Sequence, residues 1–301
     1  MNKGIWYGIG AYAAWGVLPI FWKLLQHVPA LQIVSHRIVW SCVLLCAVLA
    51  LSGQWREFRS AVRQPRVVGI YLGAAALIGV NWFVYVWAVN AGFIVETSLG
   101  YFINPLVSVA LGVIFLRERL RPWQWLPVGL ATAGVLYLTF IYGALPWIAL
   151  TLAFAFGFYG LLKKVAPLGS LYGLTLETAI LSPLVLIYLV TIEWAGEGAF
   201  LHMGLLTDAL IICAGVVTSV PMLLFASAAR RIPLSLVGVL QYIAPTLQFL
   251  IGVFVYGEAF DLRRLLGFSI IWVALLIFGI EGWLAHRAQQ AVVASEQQSP
   301  A

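Results

Sequence analysis

The sequence predicts an all-α polytopic membrane protein built from ten transmembrane helices. Three observations predict it. The chain of 301 residues is 63% hydrophobic and 9% charged, with a mean hydropathy of +0.99, more apolar surface than a water-soluble fold of this size can bury. The apolar residues form ten stretches, each long enough to cross a bilayer. Those stretches are continuous rather than alternating in polarity, which excludes a transmembrane β-barrel and leaves helices, whose backbone groups are satisfied within the segment.

The ten spans follow in order. Span 4–25 opens behind Lys3; its apolar run exceeds a signal-peptide core, contains Pro19 and lacks a small-residue cleavage site, so it reads as an uncleaved helix. Span 31–52 carries His36, Arg37, Cys42 and Cys46; two cysteines at i, i+4, with Cys213 elsewhere, read as packing rather than a disulfide framework. Span 67–89 holds Gly69-x3-Gly73, suited to close helix packing, and Asn81. Spans 93–116 and 122–141 complete the first half, the former with Pro105 inside and Glu118 just beyond its end. The second half has spans 145–165, 170–191, 207–228, 233–256 and 262–284. At roughly 1.5 Å per residue each covers the ~30 Å hydrocarbon layer.

Loop charge sets the orientation. With ten spans, both termini and the loops after the second, fourth, sixth and eighth share one face, which carries 13 of the 17 basic residues. The opposite loops hold only Arg263 and Arg264, and the loop after the seventh span is acidic, with Glu193, Glu197 and Asp208 nearby. Basic loops stay in the cytoplasm, so both termini are expected there. The net charge of +6 then reflects topology and requires no nucleic-acid partner; the expected partners are the lipid bilayer and a small-molecule substrate, with a homodimer left open. Residues 288–301 are polar and read as a disordered cytoplasmic tail.

An offset of 140 lays the second half on the first: Lys163 on Lys23, Thr175 on Ser35, and Pro245, Gly252, Val253 and Glu258 on Pro105, Gly112, Val113 and Glu118. The same offset superposes all five helix pairs. Five is odd, so the second unit must enter from the opposite face, giving inverted repeats over 1–143 and 144–287. Inverted repeats are characteristic of secondary transporters, because exchanging the conformations of the two units moves access from one face to the other.

Asn104-Pro105, Ala244-Pro245 and a Glu closing each of those helices resemble the EamA group of the drug/metabolite transporter superfamily. The opening Asn2-Lys3-Gly4-Ile5-Trp6-Tyr7-Gly8, Trp15-Gly16 with Pro19, and Ser35-His36-Arg37 resemble its RarD branch, known as chloramphenicol-sensitivity permeases of bacterial inner membranes. The resemblance implies a cavity between the halves and the export or exchange of small organic metabolites or drugs.

Ionisable groups within the bilayer cost roughly 2.5–3.5 kcal/mol, so they are functional suspects. Arg37 and Glu177 are counterparts at the 140 offset and are expected to face one pseudo-symmetric cavity, Glu177 as a proton-coupling or cation-binding carboxylate. His36, about 100° around the helix from Arg37, reads as an interhelical hydrogen-bonder or proton shuttle. Tyr101, Asn104 and Ser108 form a polar stripe at i, i+3 and i+7, echoed by Gln241 and Gln248. Pro105 and Pro245 free the carbonyls of Tyr101 and Gln241 and are candidate hinges. Asn81 and Glu96 complete the candidates; Glu118 and Glu258 read as helix-end anchors. The chain contains no phosphate-binding loop and no zinc spacing, so no cofactor is expected. It also lacks the nucleophile–base or metal cluster that an intramembrane enzyme needs. A non-transporting scaffold is the remaining alternative.

Overall fold

A computed structural model describes residues 3–284 apart from 92, 144–145, 258–264, 268 and 283, and leaves aside the side chains of 89, 90, 94–96, 98, 141 and 142. Every regular element among the described residues is helical. They are α1 (Lys3–Leu24), α2 (Ala30–Leu51), α3 (Trp55–Ala61), α4 (Pro65–Asn90), α5 (Ile94–Phe115), a 3₁₀ turn (Pro122–Gln124) leading into α6 (Trp125–Tyr142), α7 (Trp147–Val165), α8 (Ser170–Trp194), α9 (Leu205–Ala229), α10 (Leu234–Gln241), α11 (Ile243–Phe254) and α12 (Leu265–Gly282). Among the described residues, eight helical stretches are long and apolar enough to cross a membrane, α10 and α11 counting as one. The apolar run described in α5, Leu99–Phe115, is shorter.

Local chemistry explains the boundaries. Pro29, Pro146 and Pro233 each stand immediately before a helix, where a missing N–H costs nothing. Gly143 ends α6 in the left-handed conformation, at φ 77°, the usual glycine terminator. The short α3 sits in the basic loop after α2, where the sequence reading placed no helix. It is anchored by buried Phe58, which joins Leu49, Val67, Tyr71 and Leu168 in a small apolar cluster.

The two prolines behave differently. Pro105 lies within an uninterrupted α5. Its counterpart Pro245 follows a break at Tyr242, which separates α10 from α11. A proline denies a hydrogen bond to the carbonyl four residues back, here that of Gln241, the last residue of α10.

The helices pack around a core in which Tyr12, Tyr159 and Phe225 are fully or nearly fully buried. Outward-facing apolar side chains are numerous, Phe140 among them at 86% exposed. Such an exterior requires lipid. The neighbour pattern obeys the 140 offset. The packing of α1 on α9 is matched by α7 on α4, that of α2 on α9 by α8 on α4, and that of α5 on α7 by α11 on α1. The contacts α2–α8 and α5–α10 map onto themselves.

Small residues allow the closest crossings. A Cβ added at Gly215 would lie 2.6 Å from the Trp40 carbonyl carbon and 2.9 Å from the Ser41 nitrogen, and the Ser41 hydroxyl donates to the Gly215 carbonyl at 3.0 Å. Gly8 meets Leu240 of α10 comparably, at 2.7 Å. Gly69 has nothing within 4 Å, so the Gly69-x3-Gly73 pair is not a tight seam at that end. Gly215→Ala is therefore expected to lower the melting temperature of the detergent-purified protein, with an overpacking cost of about 1–3 kcal/mol. Gly69→Ala should leave it unchanged or raise it, by up to about 1 kcal/mol. Equal losses in both variants would refute this account of the α2–α9 contact.

Candidate functional site

Helices from both halves enclose a cavity of about 360 Å³. Helical periodicity positions its walls: Trp15, Leu18 and Trp22 recur along one face of α1, Ile33, Val34 and Arg37 along α2, and Asn81, Trp82 and Tyr85 along α4. Tyr101 and Asn104 come from α5, Phe156 from α7, Met222 from α9, Gln241 from α10 and Gln248 from α11. The lining reaches Trp22 and Ala30, which flank the α1–α2 connection, so the cavity extends toward the face opposite the basic loops.

Hydrogen bonds between helices hold this wall. The Asn81 side-chain amide donates to the Leu152 carbonyl of α7 at 2.9 Å. Gln248 donates to the Trp15 carbonyl at 3.1 Å, and Gln241 donates to the Ser108 hydroxyl at 3.0 Å. The polar stripe of α5 thus ends in a bond to Gln241, the counterpart of Tyr101 in the other half. Asn104 Oδ1 and Thr218 Oγ1, also on the wall, are buried without a hydrogen-bond partner.

Arg37 is the only formally charged group among the described lining residues. Its guanidinium carbon lies 4.4 Å from the ring centre of Trp82 and 5.9 Å from that of Trp22, within cation–π range. No described carboxylate pairs with it.

Glu177 is placed elsewhere, off the cavity wall. It is 1% exposed, accepts from Lys163 Nζ at 2.8 Å and from the Tyr159 hydroxyl at 2.8 Å. The expectation that Arg37 and Glu177 share one cavity fails because Lys163, near the end of α7, is itself buried at 3% exposed and captures the carboxylate. The missed signal was Tyr159, one helical turn before Lys163 on α7. His36 also faces away from the cavity, with its ring 5.1 Å from Phe200, as the 100° offset from Arg37 requires.

Other polar groups close the basic face. Glu118 accepts from the backbone N–H groups of Leu234 and Ser235, at 2.6 and 2.9 Å, capping α10 from a distant loop. Arg230 donates to the carbonyls of Ala166 and Leu168, both at 2.6 Å. The Glu96 side chain and Glu258 lie outside the described residues. No group of three or more potential metal ligands occurs among the described residues.

The EamA-like transporter family model matches residues 2–140. Over 281 residues, 92% of this chain and 93% of the other, the sequence is 49% identical to "Uncharacterized transporter YojE" of Bacillus subtilis (strain 168). The chain belongs to the EamA-like transporter family. Within it, "Protein RarD" of Escherichia coli (strain K12) is 42% identical, covering 95% of this chain and 97% of that protein. "Chloramphenicol-sensitive protein RarD" of Pseudomonas aeruginosa is 32% identical over 92% and 94%. A crystal structure at 19% identity superposes with a TM-score of 0.70, covering 93% of this chain and 98% of that one, and shares the fold. This EamA-like protein is thus a RarD-like, multi-pass membrane transporter.

For this transporter the buried ion pair makes a sharp prediction. Glu177→Ala or Lys163→Ala alone strands a buried charge and is expected to cost about 3–5 kcal/mol. The double change Lys163→Met/Glu177→Leu should cost much less than the sum. Additive losses in thermal unfolding would show that the two side chains do not act as a pair.

Proposed function

We propose that the protein is a secondary transporter that carries small organic metabolites or drugs across the bacterial inner membrane by alternating access. In this reading the chain crosses the bilayer ten times, as two inverted five-helix repeats over 1–143 and 144–287, with both termini cytoplasmic.

One observation carries the proposal. The cavity is walled by both halves and extends toward one face, while the path to the basic face is crossed by polar contacts, one between the halves and two within the second half. Those contacts are the Lys163–Glu177 pair, the Glu118 cap on α10 and the Arg230 carbonyl clamp. The neighbour pattern supports repeats related by exchange, because swapping first-half for second-half helices reproduces the observed packings. The unlike conformations of α5 and α10–α11 supply the asymmetry that exchange needs. In the exchanged state the Lys163–Glu177 pair would part and the second half would open toward the cytoplasm. With basic loops inside, the state described here faces outward, the release state of an exporter. Protonation of Glu177 would release Lys163, which makes this carboxylate the candidate for proton coupling.

Flux tests the reading. Metabolites that accumulate in cells lacking the protein and fall on overexpression should exchange across proteoliposomes containing the purified chain, above the leak of protein-free liposomes. No exchange of any of them would refute it. Pro245→Ala, which restores the hydrogen bond missing at the α10–α11 break, is expected to slow exchange about tenfold, the effect of ~1.4 kcal/mol on a barrier, with little change in binding. Pro105→Ala, in an unbroken helix, should slow it less.

A further inference from the structure

The charge on the cavity wall has no counter-charge among the described residues, and this points to the chemistry of the ligand. Resting on the transporter reading above, we propose that the substrate is a small monoanion, a carboxylate joined to a compact apolar or aromatic body, and that Arg37 is the residue that binds its charge.

Arg37 stands in contrast to the other charges of the helical bundle. Lys163 and Glu177 neutralise each other at 2.8 Å, and Lys23 lies 3.6 Å over the Tyr256 ring. Arg37 faces an open volume, with its Nε buried and unpartnered and no described carboxylate in reach. A guanidinium on a membrane cavity wall with a buried, unpartnered Nε and no described counter-charge is costly, and an anionic ligand would remove that cost.

The geometry suits a carboxylate. Trp82, 4.4 Å from the guanidinium carbon, is near enough to cover a face of the group. A guanidinium stacked by its face keeps its in-plane N–H fork free, and that fork matches the two oxygens of a carboxylate. One described charge on the wall balances one negative charge; a phosphate monoester, carrying nearly two, would leave part of its charge unmet.

The rest of the wall selects the body of the ligand. Trp15 and Phe156 approach edge to face at 5.9 Å and, with Met222, line the inner part of the cavity. The unpartnered Asn104 Oδ1 would accept one N–H or O–H from the ligand. A volume of about 360 Å³ is near the lower end of the roughly 300–1,000 Å³ usual for small-molecule sites, so the body is compact.

The test uses the purified full-length chain and three probes of one shape: 3-phenylpropanoate, its neutral amide and the cationic 3-phenylpropylamine. Calorimetric titration should show the acid binding at least tenfold more tightly than the amide, with the amine weakest. Arg37→Gln should abolish the preference of acid over amide, and Arg37→Lys should restore part of it. Because Arg37 has no described carboxylate partner to strand, Arg37→Gln should melt at or above the wild-type temperature without ligand. The wild-type comparison stands whether or not either variant folds. Amide or amine binding as tightly as the acid, or no acid binding, overturns the inference. Counterflow in proteoliposomes separates the two readings. Acid-selective binding without counterflow of labelled acid above protein-free liposomes upholds the anion site and counts against transport. Counterflow of amide or amine equal to that of the acid overturns the anion site and leaves transport standing.

Discussion

Hydrocarbon surrounds this chain, so a charge on a spanning helix has to be accommodated by the protein itself. The structure meets that constraint in two ways. Near the basic face it pairs charges: Lys163 lies against Glu177, with the Tyr159 hydroxyl completing the carboxylate's partners. At the cavity it leaves one cation facing open volume, with aromatic rings for company. In the proposed mechanism the first arrangement closes a path through the bundle and the second makes one end of that path selective for charge.

The two solutions occupy equivalent places. Arg37 and Glu177 are separated by 140 positions and sit at matching points of α2 and α8, helices that pack on each other. At equivalent positions of the 140-residue pattern the two charges thus differ in sign and in surroundings. The same divergence appears in backbone form, where Pro105 is absorbed by α5 and Pro245 accompanies the break before α11. In the proposed mechanism these differences distinguish a closed face from an open one.

Much of the site was legible in the sequence because helical periodicity projects residues onto faces. Tyr101 and Asn104 of the stripe line the cavity with Asn81, Gln241 and Gln248, whereas Ser108 is not among the lining residues. Glu118 anchors a helix end, although the end is that of α10 rather than its own. The placing of Glu177 and His36 was not legible. Periodicity says which residues share a face, but not which neighbour the face meets. The captor of Glu177 comes from α7, and His36 packs on Phe200 from the loop beyond α8.

The sequence by itself determined that the chain is helical, lives in lipid and is built on a pattern repeated at 140 residues. Those properties follow from apolar run length and composition, which act locally and need no knowledge of neighbours. Tertiary packing alone decided which charge is neutralised by an ion pair and which is left without a described carboxylate partner. That outcome depends on distances of a few ångströms between helices far apart in the chain, where a lysine near the end of α7 reaches a buried glutamate and no described carboxylate reaches Arg37.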